Sequence, residues 1–163
     1  MDFVFGIPSY KRAEKQSTLS YLNRLGYSRK DIYISTQTEE DYQIYSSRYS
    51  DKATILYRQG NCVADNRNTI LEGLKDFRRI LFLDDDITGI GVLAKEGKRS
   101  DGGRYVRVQS KEKLDWLISS CFHLAQSMGS PIWGVSFFDN PLFSKKVIRE
   151  KTDIHRNYVW NVQ

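Results

Sequence analysis

Three consecutive aspartates, Asp84, Asp85 and Asp86, stand directly behind the apolar run "RILFL" (residues 79–83). Adjacent like charges repel, so such a cluster is stable only where water or a counter-charge neutralises it. A divalent cation bridging to phosphate oxygens is a common neutraliser, and the type of site it would make here is a metal-diphosphate site. The plainer alternative is a solvated acidic turn. A second stretch, "GNCVADNRN" (residues 60–68), places Arg67 and Asn68 at the start of an expected helix. A guanidinium matches phosphate oxygens with paired hydrogen bonds, a capacity Arg67 would bring to any phosphate beside it. Otherwise Arg67 is a surface arginine paired with Glu72 or Asp65. Asn66 reads as a helix-start residue that satisfies free N–H groups, and Asn68 is open to the same reading.

The elements that must carry these residues alternate between strand and helix. "FVFGIP" (3–8) is a short apolar run cut off by Pro8, and "RAEKQSTLSYLNRLG" (12–26) follows as an amphipathic helix with Leu19, Leu22 and Leu25 inward. "DIYIST" (31–36) is the second strand, followed by a helix over 38–50 with Thr38 as N-cap and acids in its first turn. "ATILYR" (53–58) is the third strand, and the next helix, over 63–77, is expected to bury Val63, Ile70, Leu71 and Leu74. "RILFL" is the fourth strand, apolar enough to be central in a parallel sheet. The triplet then sits at its C-terminal end, where open α/β sheets bind ligands. Further on, residues 111–129 spell a helix with Leu114, Leu117, Ile118, Cys121 and Leu124 at core spacing, so Cys121 and His123 read as structural. The last residues, "NYVWNVQ" (157–163), alternate like a half-buried strand.

Composition narrows the classes. At 163 residues the chain suits one domain with a real core. Hydrophobic residues make up 40% and charged residues 28%, which argues against disorder. No apolar stretch approaches the length of a membrane helix, and the N-terminus lacks the basic region of a signal peptide. The two cysteines, Cys62 and Cys121, and the two histidines show no metal-ligand spacing, and a reducing cytoplasm fits them best. A net charge of +5 mildly favours polyanionic partners such as nucleic acid. The basic, glycine-containing stretch over residues 95–107, with Lys98, Arg99 and Arg104, is a candidate grip on phosphates or on an acceptor backbone, or else a solvated hairpin tip.

Two metal-assisted chemistries use an acid pair behind an apolar strand. The first is aspartyl phosphotransfer of the haloacid-dehalogenase type, formally matched by Asp84-x-Asp86-x-Thr88 with Asp84 as nucleophile. That type carries its motif on the first strand, whereas three β-α units precede it here, and "FFDNP" (137–141) supplies only Asp139. The second is glycosyl transfer from a nucleotide sugar. "IPSYKR" (7–12), "GNCVADNRNTIL" (60–71) and "FLDDDI" (82–87), in that order, resemble the motifs of GT-A glycosyltransferases. With "WGVSFFDNPLF" (133–143) they are most similar to the phage and eukaryotic TET-associated glycosyltransferases, which modify hydroxymethylated bases in DNA. The likeness runs from about Ile7 to the C-terminus.

That resemblance implies a GT-A-like, Rossmann-like α/β domain with a mostly parallel sheet flanked by helices. It implies donor-nucleotide contacts at Pro8, Ser9 and Arg12, with Arg67 and Asn68 facing diphosphate and sugar. Asp84 would meet ribose or metal, Asp86 would ligate the metal directly, and Asp85 could do either. Manganese or magnesium would be the cofactor, and UDP-glucose the donor, with phage DNA in an infected bacterial host as acceptor. Asp139 would be a weaker candidate on the acceptor side, its alternative being an Asx turn with Asn140 and Pro141. Members of the fold continue for several more elements, so the end at Gln163 leads to the expectation of a truncated or minimal version that self-associates through its C-terminal edge.

Overall fold

The computed structural model describes residues 2–94 and 104–134. Along the chain run β1 (Val4–Pro8), α1 (Ser17–Arg24), β2 (Ile32–Thr36), α2 (Glu39–Tyr49), β3 (Thr54–Tyr57), α3 (Val63–Gly73), β4 (Ile80–Phe82), β5 (Gly91–Ala94), β6 (Arg104–Arg107) and α4 (Lys111–Ser127). The first four strands form a parallel sheet in the order β3-β2-β1-β4, and β5 pairs antiparallel with β6. Successive strands extend from β1 first to one side, through β2 and β3, and then to the other with β4. A switch point therefore lies between β1 and β4.

Alternation along each strand sorts the side chains onto two faces. Phe3, Phe5, Ile7, Ile32, Ile34, Leu81 and Leu83 join Leu19 and Leu22 of α1, Tyr45 of α2, and Leu114 and Ile118 of α4 in one buried cluster. The residues between them, Val4, Tyr33, Ile80 and Phe82, meet Ile70 and Leu74 on the opposite face. One face thus carries α1, α2 and α4, and the other carries α3. Gly6 makes the close approach of α3 possible, because a Cβ there would stand 2.7 Å from Ile70 Cγ2.

The helix ends follow local chemistry. Thr38 caps α2 as expected, its side chain accepting from Asp41 N–H at 3.1 Å ahead of Glu39, Glu40 and Asp41 in the first turn. α3 is capped at Cys62, where Asp65 Oδ2 reaches back to the N–H groups of Asn61 (2.8 Å) and Cys62 (3.2 Å). Both backbone groups would otherwise lack partners at the helix start.

Several expectations need correction. α1 starts at Ser17 and not Arg12, because residues 9–16 form a loop tied to α2 and to the aspartates. α3 stops at Gly73, and Val63 (60% exposed) and Leu71 (48%) lie on its outer side while Ile70 and Leu74 are buried. Leu124 is likewise exposed on α4, whose buried stripe runs through Leu114, Ile118 and Ala125. β4 is an outer strand of the sheet among the described residues. Its side chains pack on both faces, Leu81 and the following Leu83 with α1 and α4 and the partly buried Ile80 and Phe82 with α3, and whether a strand covers its other edge falls on residues outside the described ones. The strand expected over 157–163, and the self-association expected through it, lie outside the described residues. No helix among the described residues is long and apolar enough to cross a membrane.

Candidate functional site

A cleft of about 630 Å³ opens at the C-terminal ends of the parallel strands. Pro8, Ser9, Tyr10 and Arg12 reach it from the end of β1, Gln37 and Thr38 from β2, and Gly60 to Val63 from the approach to α3. Asn66 and Arg67 come from the first turns of α3, and Asp84, Asp85 and Asp86 follow β4. The strand-end location inferred for the triplet is therefore what the fold provides. Four segments far apart in sequence converge because the strands they follow are parallel and in register.

The three acids have different surroundings. Asp85 is buried: Ser9 Oγ donates to its Oδ2 at 2.5 Å, and Arg12 Nη1 donates to its Oδ1 at 3.0 Å. The same Arg12 nitrogen donates to Oδ2 of exposed Asp86 at 3.0 Å. Asp84 is half-buried and faces Arg67, with Nη2 to Oδ1 at 3.6 Å. Burial pushes the Asp84 carboxyl above its ordinary value, Arg67 pulls it back, and Asp86 and Asp85 push it up again. Thr18, at the start of α1, braces the backbone of this turn. Its Oγ1 donates to Asp84 O and accepts from Ile87 N–H at 2.9 Å, while its own N–H donates to Asp85 O at 3.3 Å.

Charge in the cleft is almost balanced. Among the described residues lining it, Arg12 and Arg67 are the only cations and oppose the three aspartates, which leaves one net negative charge from those residues when all are ionised. A dianionic diphosphate would be repelled unless a cation entered with it. Asp84 and Asp86 fit that cation, because both oxygens of Asp85 are already engaged. Among the described residues no group of three or more His, Cys, Asp or Glu is assembled to hold a metal. Two carboxylates, with phosphate and water oxygens completing the shell, are the usual protein share at a magnesium-diphosphate site.

The other sequence-predicted residues divide. Pro8 and Ser9 line the cleft, but the Ser9 hydroxyl is engaged with Asp85 and Tyr45, so any further contact with a ligand falls to backbone atoms. Asn68 is exposed on α3 and is not among the lining residues, since each helical step turns the side chain by about 100°. Asn66, read as a helix-start residue, is instead buried and donates through Nδ2 to Ser9 O at 2.9 Å, stapling α3 to the first loop. Arg67 pairs with Asp84, not with Glu72, which is taken by Arg58. Arg104 opens β6 opposite Ala94. Lys98, Arg99 and Asp139 lie outside the described residues. Thr88 lines a separate recess with Glu14, Gln16 and Tyr49, so the three residues of the phosphatase-type motif do not share one cleft.

Sequence reasoning missed Tyr10, Gln37, Asn61 and Tyr45. Tyr10 is 48% exposed beside the cleft, where an aromatic face can stack a base. Its position next to Ser9 in the first loop was the available signal. Tyr45 is fully buried behind the loop, and burial pushes its phenol above the usual value, with its contacts to the Ser9 hydroxyl and to Arg12 N–H pulling it down.

Fold and site define an α/β protein of Rossmann-like build with an acidic, arginine-flanked cleft at the switch point of its sheet. Compared with known proteins, the chain matches no family model, no curated protein and no solved structure.

Proposed function

We propose that the protein is a metal-dependent glycosyltransferase of GT-A type that moves a sugar, glucose in the first instance, from a UDP-sugar to a hydroxymethylated base in phage DNA. The observation that carries the donor half is the pairing of Asp84 and Asp86 with Arg67 and Arg12 across one strand-end cleft. Such a set suits a cation and a diphosphate entering together, the carboxylates facing the cation and the guanidinium groups the phosphate oxygens. The acceptor half rests on the likeness to TET-associated glycosyltransferases carried by Ile7 to Arg12, Gly60 to Leu71, Phe82 to Ile87 and Trp133 to Phe143.

In this reading a manganese or magnesium ion held by Asp84 and Asp86 supplies positive charge to the departing nucleoside diphosphate. Arg67 binds diphosphate oxygens once its bond to Asp84 is shared, and its place in the first turns of α3 directs the guanidinium into the cleft. Tyr10 offers a stacking face for the base. Asp85 binds no ligand and orients Arg12. Asp139 is the proposed acceptor-side base. Release of UDP from UDP-glucose, measured with manganese and with hydroxymethylated or unmodified DNA, tests the proposal. UDP release dependent on both metal and hydroxymethylated DNA supports it. Binding of UDP-glucose without transfer would reduce it to a donor-binding module, and phosphate release from a simple phosphoester would favour aspartyl phosphotransfer.

A further inference from the structure

We infer that Tyr45, at the back of the cleft and out of reach of any ligand, is a positioning residue that sets the geometry of the first loop and of Arg12. The inference rests on the donor-binding reading above. Tyr45 lies on α2 with no exposed surface, yet its hydroxyl is the junction of a closed ring of hydrogen bonds. Ser9 Oγ has one proton, and it goes to Asp85 Oδ2 at 2.5 Å. Arg12 N–H and Gln16 Nε2 both donate to the Tyr45 hydroxyl, at 3.2 and 3.1 Å. The Tyr45 proton is therefore left for Ser9 Oγ, 2.7 Å away. Gln16 Nε2 also donates to Ser9 Oγ at 2.8 Å. The ring closes through Arg12, whose backbone N–H meets Tyr45 and whose guanidinium meets Asp85.

The loop needs this fixing. Lys11 sits in the left-handed region at φ 53°, costly for a residue with a side chain, and its N–H is held by Asp41 Oδ2 at 3.1 Å. Asp41 and Tyr45 are one turn apart on α2, so a single helix holds both sides of the strained residue. Such a conformation persists only where surrounding bonds over-determine it. Tyr45 fixes where the backbone of Arg12 sits, and Asp85 fixes where its guanidinium points. The hydroxyl, more than the ring, carries this role.

Tyr45→Phe in the full chain separates the two. Hydrogen exchange over residues 9–16 should accelerate on losing the hydroxyl, while Tyr42→Phe, on the same helix but stacked on Tyr57, leaves it unchanged. In calorimetry with manganese, Tyr45→Phe should weaken UDP binding about tenfold, and the same change in an Arg12→Ala background should add less than about twofold, as expected of residues acting through one another. Ser9→Ala, which opens the ring from its other hydroxyl, should give the same pattern and replaces Tyr45→Phe if that variant does not fold. Unchanged exchange, or an equal loss of affinity in the Arg12→Ala background, would overturn the inference. Failure of the wild-type chain to bind UDP would overturn the donor-binding reading instead, and the exchange pattern would still decide whether Tyr45 holds the loop.

Discussion

Ser9 Oγ donates to Asp85 Oδ2 across 2.5 Å, and this bond divides the acidic triplet. The middle acid turns toward the body of the protein, where Ser9 and Arg12 occupy its two oxygens, and the flanking acids are left to the cleft. Three adjacent carboxylates coexist because the structure gives one to the fold and pairs the other two with arginines.

Substitutions at neighbouring positions should therefore have opposite signatures. Asp85→Ala takes away the acceptor of the buried Ser9 proton and the inner partner of Arg12, so it should cost about 1–3 kcal/mol of stability. Asp86 is exposed, and Asp86→Ala should leave stability within about 0.5 kcal/mol while abolishing metal-dependent binding of UDP. Urea unfolding and calorimetry on the two variants check this. Metal-dependent affinity that survives Asp86→Ala would remove Asp86 from the site.

Arg67 should matter to the phosphates and not to the nucleoside. Its guanidinium meets Asp84 at the cleft, where a charge-assisted bond to phosphate contributes on the order of 1.5–3 kcal/mol. Arg67→Ala should thus weaken UDP and UDP-glucose at least about tenfold and uridine by far less. Equal losses for uridine and UDP would place Arg67 away from the diphosphate.

Much of this arrangement was legible in the sequence, for reasons that can be named. Pro8, the cap at Thr38 and the apolar run before Asp84 are local signals, and local signals locate strand ends. From these the succession of β-α units and the strand-end position of the triplet follow. Partnerships across the chain are not local. Ser9 and Asp85 are 76 positions apart, and nothing in either neighbourhood announces the other. Helix facing failed similarly: Asn66 and Asn68 look alike as helix-start residues, yet one is buried against Ser9 O and the other exposed, because α3 is oriented by the fit of Ile70 over Gly6.

Acid should loosen the entrance to α3. The N–H groups of Asn61 and Cys62 hold the Asp65 carboxyl below its ordinary value in the folded protein. A depressed folded-state value means that the unfolded chain binds the proton first as pH falls, so the contribution of Asp65 is fully present above the ordinary aspartate range. It fades as pH drops through that range toward the folded-state value. Asp65→Asn should accordingly be less stable than wild type near pH 6, with the gap closing below about pH 4. Urea melts of both proteins across that interval measure the gap. A difference independent of pH would mean that the carboxylate charge is not what holds Asn61 and Cys62 at the cleft.

The seat of α3 depends on a missing side chain. A Cβ at Gly6 would stand 2.7 Å from Ile70 Cγ2, too close for Ile70 to keep its present seat over β1. Gly6→Ala forces Ile70, and with it the seat of α3, to give way, and overpacking of this kind costs about 1–3 kcal/mol. Ile70→Ala alone should cost about 2–5 kcal/mol, since Ile70 is fully buried. The added methyl and the removed branches occupy the same space, so the double variant should cost clearly less than the two losses added. The helix also carries Asn66 and Arg67 into the cleft, so Gly6→Ala should weaken UDP binding and the double variant should recover part of it. Strictly additive stabilities, or a Gly6→Ala protein with wild-type stability and affinity, would show that this contact does not set the position of α3.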